Sequence, residues 1–175
     1  MFKCQRFTPD FIYDDIFAID LLALQQRQII FLLFDIDNTL TEWNASEVSE
    51  PTKKWFDEVR KQGFICCLIS NNKGNRAKTV AAQLNIKYIS NAAKPFARGF
   101  LKAFKLLKAV PKQTAIIGDQ LFTDIWGGNR QGITTILVKQ IGPNEHWGTK
   151  MFFRRGERVI RKIVDTNYRE RKGSM

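Results

Sequence analysis

The chain has little cysteine and no long apolar run. Three cysteines, Cys4, Cys66 and Cys67, occur in 175 residues. Their number is odd, and the adjacent pair lies in an apolar stretch where successive side chains face opposite ways, so neither a disulfide framework nor a cysteine metal cluster is indicated. A reducing compartment is the expectation. No apolar segment approaches the roughly 20 residues that span a bilayer, and no secretory segment is visible. A cytoplasmic protein follows, with the inner face of the membrane as a peripheral location. Histidine is nearly absent: His146 is the single one, beside the loop-forming Gly142-Pro143-Asn144, where an exposed bystander is the default and no role is assigned. There is no internal repeat and no low-complexity stretch.

What is present is ordinary for one globular core, with 44% hydrophobic and 26% charged residues. The expected organisation is an N-terminal segment over 1–28, a core over 29–165 and a basic tail over 166–175. Within 1–28, the apolar-rich stretch from Phe11 to Leu24 is expected to cover the core or to rest on lipid. Punctuation divides the core further. Pro51 opens a helical pattern with Trp55, Phe56 and Val59 on one face, and Gly63 closes it. Ala77, Val80, Ala81 and Leu84 mark a second helix, and Phe96, Phe100, Ala103, Phe104 and Leu107 a third, stopped by Pro111. A fourth is expected between Leu121 and Gly132. Apolar runs alternate with these helices, the last at Thr134 to Val138, which predicts an α/β fold with a five-stranded parallel sheet between helical layers, a Rossmann-like three-layer sandwich.

The ends of those runs carry the chemistry. Ile29 to Phe34 reads as a buried strand and delivers Asp35 and Asp37 to the carboxyl end of the sheet, where open α/β folds keep their sites. Two acids at the mouth of a core are costly without a cation or a hydrogen-bond network, so the pair points to a divalent metal or to proton transfer. Alone, it could equally be a polar turn after a strand. Phe64 to Ile69 leads to Ser70, Asn71 and Asn72. Tyr88-Ile89-Ser90 is followed by Lys94-Pro95. Ile116-Ile117-Gly118 ends in Asp119 and Asp124, with Gly118 allowing close backbone approach. Ser70 could simply cap a helix and Lys94 could be one more solvated lysine.

In this order, Asp35-Ile36-Asp37-Asn38-Thr39-Leu40, Ser70-Asn71-Asn72, Lys94-Pro95 and Gly118-Asp119-Gln120-Leu121-Phe122-Thr123-Asp124 resemble the motifs of the haloacid dehalogenase (HAD) superfamily of phosphohydrolases. In detail they look like its subclass IIIA, the YqeG-type phosphatases, and Gly127-Gly128-Asn129-Arg130 extends the likeness. The resemblance implies a phosphoric monoester hydrolase. Asp35 would be the nucleophile that forms an aspartyl phosphate, and Asp37 the acid and base. Mg²⁺ would be held by Asp35, Asp119 and the Asp37 carbonyl. Ser70, Asn71 and Lys94 would bind the phosphoryl oxygens. Asp124 would support the metal shell or orient Lys94, and Thr39 would order the loop. An acid at position 37 favours a phosphomonoester over a halide, which leaves without a proton.

Members of this superfamily select small substrates with an inserted cap domain. Neither 41–50 nor 70–94 leaves room for one, so an open site is expected, suited to a large or surface-presented phosphorylated substrate. The net charge of +11 adds an attraction to polyanions or anionic membrane. From Lys139 onward, ten Lys and Arg face four acids, and 154–164 reads as an amphipathic helix with a basic face. Three readings stay open: a phosphatase of a lipid headgroup, phosphatidylglycerophosphate by resemblance; a phosphatase of protein or nucleic-acid phosphates; and an RNA- or ribosome-associated binding protein on the same fold.

Overall fold

The computed structural model describes residues 5–141. The cysteine Cys4, His146, the basic stretch 154–164 and the tail 166–175 lie outside them. Six strands form one parallel sheet: β1 (Phe11–Tyr13), β2 (Phe31–Phe34), β3 (Ile65–Ile69), β4 (Lys87–Ile89), β5 (Thr114–Gly118) and β6 (Thr134–Val138), in the order β1-β6-β5-β2-β3-β4. All four residues of β2 and all five of β5 are buried, as expected of strands covered on both faces.

The helices are α1 (Leu21–Gln26), α2 (Glu50–Lys61), α3 (Arg76–Leu84), α4 (Ala97–Leu107) and α5 (Gly127–Gln131). They divide the core in two. Leu32, Phe34, Phe56, Val80 and Leu84 pack on one side of the sheet, and Leu33, Cys67, Phe100, Ala103 and Ile116 on the other. Cys66 and Cys67 are buried free thiols, each raised to about 12 by burial, which makes them packing groups. The fourth predicted helix divides: Leu121–Trp126 is a π-helical turn and α5 continues from it.

The sheet has six strands where the sequence pattern predicts five. The additional one is β1, which pairs with β6 through Phe11↔Ile136 to Tyr13↔Val138. Its place is fixed by polar groups. The Asp10 carboxylate accepts from Thr135 N at 2.8 Å and from Thr135 Oγ1 at 3.1 Å. The Asn129 amide donates to Arg6 O at 2.9 Å and Thr8 O at 3.0 Å. Part of the apolar segment from Phe11 to Leu24 is therefore an edge strand of the core.

Register decides what the sheet presents. Phe34 lies opposite both Leu68 of β3 and Ile117 of β5, so three neighbouring strands end nearly level. Strand order runs outward in both directions from β2, which opens a crevice there. Residues 35–49 and 70–75 are turns and loops, and among the described residues no cap domain is inserted.

Candidate active site

Because the strands end level, Asp35, Ser70 and Asp119 meet above β2, β3 and β5. Asp35 is 5%, Ser70 1%, Lys94 5% and Asp124 0% exposed. The lysine organises the group: its Nζ donates to Asp35 Oδ1 at 2.7 Å and to Asp124 Oδ1 at 2.6 Å. Burial works against its positive charge, yet Asp124 and Asp35 together outweigh that effect and hold its pKa above the ordinary lysine value.

Lys94 is placed by its backbone. The Asn71 side chain accepts from Lys94 N at 2.7 Å and donates to Lys94 O at 3.0 Å. Ser70 Oγ accepts from Asn72 N at 3.1 Å. Asn71, predicted to bind phosphate, lines the pocket and spends its amide on the lysine's main chain.

On the other side, Asp124 is set by the turn after β5. Its Oδ2 accepts from Gln120 N at 3.2 Å, and it presses so closely on Gly118 that any side chain there would run into its carboxylate. Asp124 thus contacts Lys94 and also stands among the acids close enough to share a cation, the positions that its two expected roles require. Thr39 Oγ1 donates to Asp119 Oδ1 at 3.3 Å, tying the loop after β2 to the end of β5.

Carboxylate oxygens of Asp35, Asp119 and Asp124 lie within 4.8 Å of one another. Burial pushes the Asp35 carboxyl up to about 6, against the pull of Lys94 and with the help of Asp124. Burial, then the charges of Asp124 and Asp35, push Asp119 up to about 8. Three acids against one lysine leave the cluster over-supplied with negative charge. Hard oxygen donors in that excess fit a small divalent cation.

Asp37 lines the same cavity but has different partners. Its carboxylate pairs with the Arg76 guanidinium and accepts from Asn44 N at 3.1 Å. Arg76 is itself only 9% exposed; it also donates to Ala45 O at 2.6 Å and Thr41 Oγ1 at 3.0 Å. The sequence reading misses Arg76, as it misses Gln140, whose amide donates to Asp119 Oδ2 at 2.8 Å. A basic residue opening a helix, where the macrodipole disfavours a cation, is the one signal in the sequence that an acid stands nearby. Asp35, Asp37, Ser70 and Lys94 line a cavity of about 310 Å³, with Trp43, Asn72, Gln120 and Thr123 completing its wall.

Residues 1–141 match a family model described as mitochondrial PGP phosphatase. The Bacillus subtilis protein named Probable phosphatase YqeG is 35% identical over 154 residues, covering 88% of this chain and 89% of that protein. The chloroplastic/mitochondrial phosphatidylglycerophosphate phosphatase 1 of Arabidopsis thaliana is 25% identical over 150 residues, covering 81% of this chain and 43% of that protein. Among solved structures, an uncharacterized Listeria monocytogenes protein aligns with TM-score 0.55 at 17% identity, over 67% of this chain and 84% of that one. A HAD-superfamily hydrolase of subfamily III A from Legionella pneumophila aligns with TM-score 0.52 at 15% identity, over 68% and 70% of the two chains; these likenesses are of fold. With buried acids and a lysine at the mouth of a sheet that shares the fold of HAD-superfamily hydrolases, and a family match over most of its length, the chain belongs to the mitochondrial PGP phosphatase family.

Proposed function

We propose that the protein removes the terminal phosphate of phosphatidylglycerophosphate by way of an aspartyl phosphate on Asp35. The observation that carries this reading is the buried contact of Asp35 with Lys94 in a cavity that no cap domain covers among the described residues. Lys94 holds the Asp35 carboxylate in place and offers its charge to the phosphoryl oxygens, while Ser70 stands beside the same cavity. An Asp35 oxygen attacks phosphorus and the bond from phosphorus to the glycerol oxygen breaks. Asp37 supplies the proton that the departing alkoxide needs. Water then attacks the phosphorus of the acyl phosphate, Asp37 takes its proton, and Asp35 is released with inorganic phosphate. When bound by Asp35, Asp119 and the Asp37 carbonyl, Mg²⁺ would neutralise charge on the transferring group. Support for the lipid comes from the family description and from the absence of a cap among the described residues, since a headgroup fixed in a bilayer must be reached from outside. A cytoplasmic protein working on the inner membrane face is the matching location.

The test is phosphate release with Mg²⁺ from phosphatidylglycerophosphate, a phosphopeptide, a 5′-phosphorylated oligonucleotide and sugar phosphates, with Asp35→Asn as control. The lipid is expected to be the best substrate and the variant to be inactive but folded. Preference for the phosphopeptide or the oligonucleotide would overturn the substrate. Undiminished turnover by Asp35→Asn, free of contaminating phosphatase, would overturn the mechanism.

A further inference from the structure

Charge is segregated along this chain. Between Val59 and Gly118 there are twelve Lys and Arg and no Asp or Glu, whereas residues 5–58 hold eleven acids and four basic residues. The acid-free span supplies β3 and β4 at one edge of the sheet with α3 and α4 on its two faces, while its last strand, β5, lies beyond β2. Four of the twelve are neutralised: Arg76 and Lys94 in the site, Arg60 and Lys61 by acids of their own helix. The remaining eight are exposed and form no ion pair among the described residues.

Helix α4 gives this surface a second property. While Phe100, Ala103 and Leu107 are buried, Arg98, Leu101, Lys102 and Lys105 recur at i, i+3, i+4 and i+7 and form one exposed stripe. Leu101 is 58% exposed, and Phe96, just before the helix, is 62% exposed. A face that served only solubility would mix both signs at these spacings. Here large apolar groups stand among cations that have no acidic partner among the described residues. The helix begins three residues after Lys94, so its first turn lies at the sheet edge that holds the cavity.

Cations that flank protruding apolar side chains fit a surface whose negative groups lie over hydrocarbon. A nucleic acid would satisfy the cations but offers Leu101 no apolar phase to enter. We propose that the exposed stripe of α4, with Phe96 just before it, is the face by which the protein docks on anionic bilayers. This rests on the lipid-phosphate reading for one point, the turning of the cavity mouth toward the headgroups.

The test is cosedimentation of the full chain with phosphatidylcholine vesicles, with and without phosphatidylglycerol, and with no phosphorylated substrate lipid present. Docking and turnover are then read separately, and vesicle binding without hydrolysis of phosphatidylglycerophosphate would defeat the substrate reading alone. Wild type is expected to bind the phosphatidylglycerol vesicles and to release them as salt rises. The triple variant Arg98→Glu/Lys102→Glu/Lys105→Glu should weaken that binding by at least about tenfold, since each basic residue near such a surface contributes roughly a factor of five. Phe96→Ser/Leu101→Ser should remove the binding that resists salt. Both variants should keep turnover of soluble 4-nitrophenyl phosphate, which shows that they fold. Vesicle binding like wild type in both variants overturns the proposal, as does capture of an RNA oligonucleotide in preference to the vesicles.

Discussion

Replacing Arg76 with glutamine tests how Asp37 is held. The guanidinium bonds three groups, the Asp37 carboxylate, Ala45 O and Thr41 Oγ1, and its pair with Asp37 has side chains only 8% and 14% exposed. Breaking a fully buried pair costs about 3–5 kcal/mol. Asp37 also has Asn44 N and the open cavity, so a loss of about 2–3 kcal/mol is expected, or roughly 4–12 °C in Tm for a chain of this size. The kinetic effect is more specific. A positioned proton donor contributes about 10²–10⁴-fold, and only to a leaving group that needs the proton. For Arg76→Gln, kcat/KM on an alkyl phosphate should fall about 10–100-fold, while on 4-nitrophenyl phosphate it should fall less than about threefold. The ratio kcat/KM reports steps up to the first irreversible one, so breakdown of the aspartyl phosphate does not blur the comparison. Arg76→Lys should recover part of the alkyl activity. Equal losses on the two substrates would refute the reasoning; if Asp37→Asn also loses both equally, the assignment of Asp37 as the acid fails too.

Gly118→Ala should displace Asp124 and with it Lys94; about 1–3 kcal/mol of stability in urea titration and most of the turnover are expected to go, with the strand itself intact. Retention of full activity would mean that Asp124 does not orient the lysine. The metal-free protein should lose stability as pH rises from about 4 through 8, because Asp35 and Asp119 keep their protons longer folded than unfolded, with values of about 6 and 8. Mg²⁺ should flatten that slope and raise Tm more at pH 8 than at pH 5, where protons compete for the same oxygens. A Mg²⁺ effect independent of pH in differential scanning calorimetry would contradict it.

The residues legible in the sequence are those placed by strand ends. Asp35, Ser70, Lys94, Asp119 and Asp124 each follow an apolar run, and a parallel sheet gathers whatever follows its strands. Asn71 and Thr39 were legible as members of the site, but their partners, the Lys94 backbone and Asp119, emerge only in three dimensions. Arg76 was hidden among 28 Lys and Arg, because its importance depends on the loop at 41–45 folding over the start of α3. Strand β1 was hidden because three residues are too few to show a period, and its partner lies 125 residues away at Ile136. The π-helical turn at Leu121–Trp126 reads in sequence as the beginning of an α-helix.

That pairing of β1 with β6 has a consequence for how the molecule is made. A chain emerging from its amino end exposes Phe11 to Tyr13 long before Thr134 to Val138 exists, so the sheet can grow around β2, β3 and β5 while its outer edge waits. Asp10 must then find Thr135 across the whole domain, a closure that is slow because it spans so much sequence. Until it happens, β6 presents open main-chain donors and acceptors to any neighbour. Of the six described strands, the first in the chain thus pairs with the last, and it covers the main-chain edge that β6 would otherwise present to a neighbour.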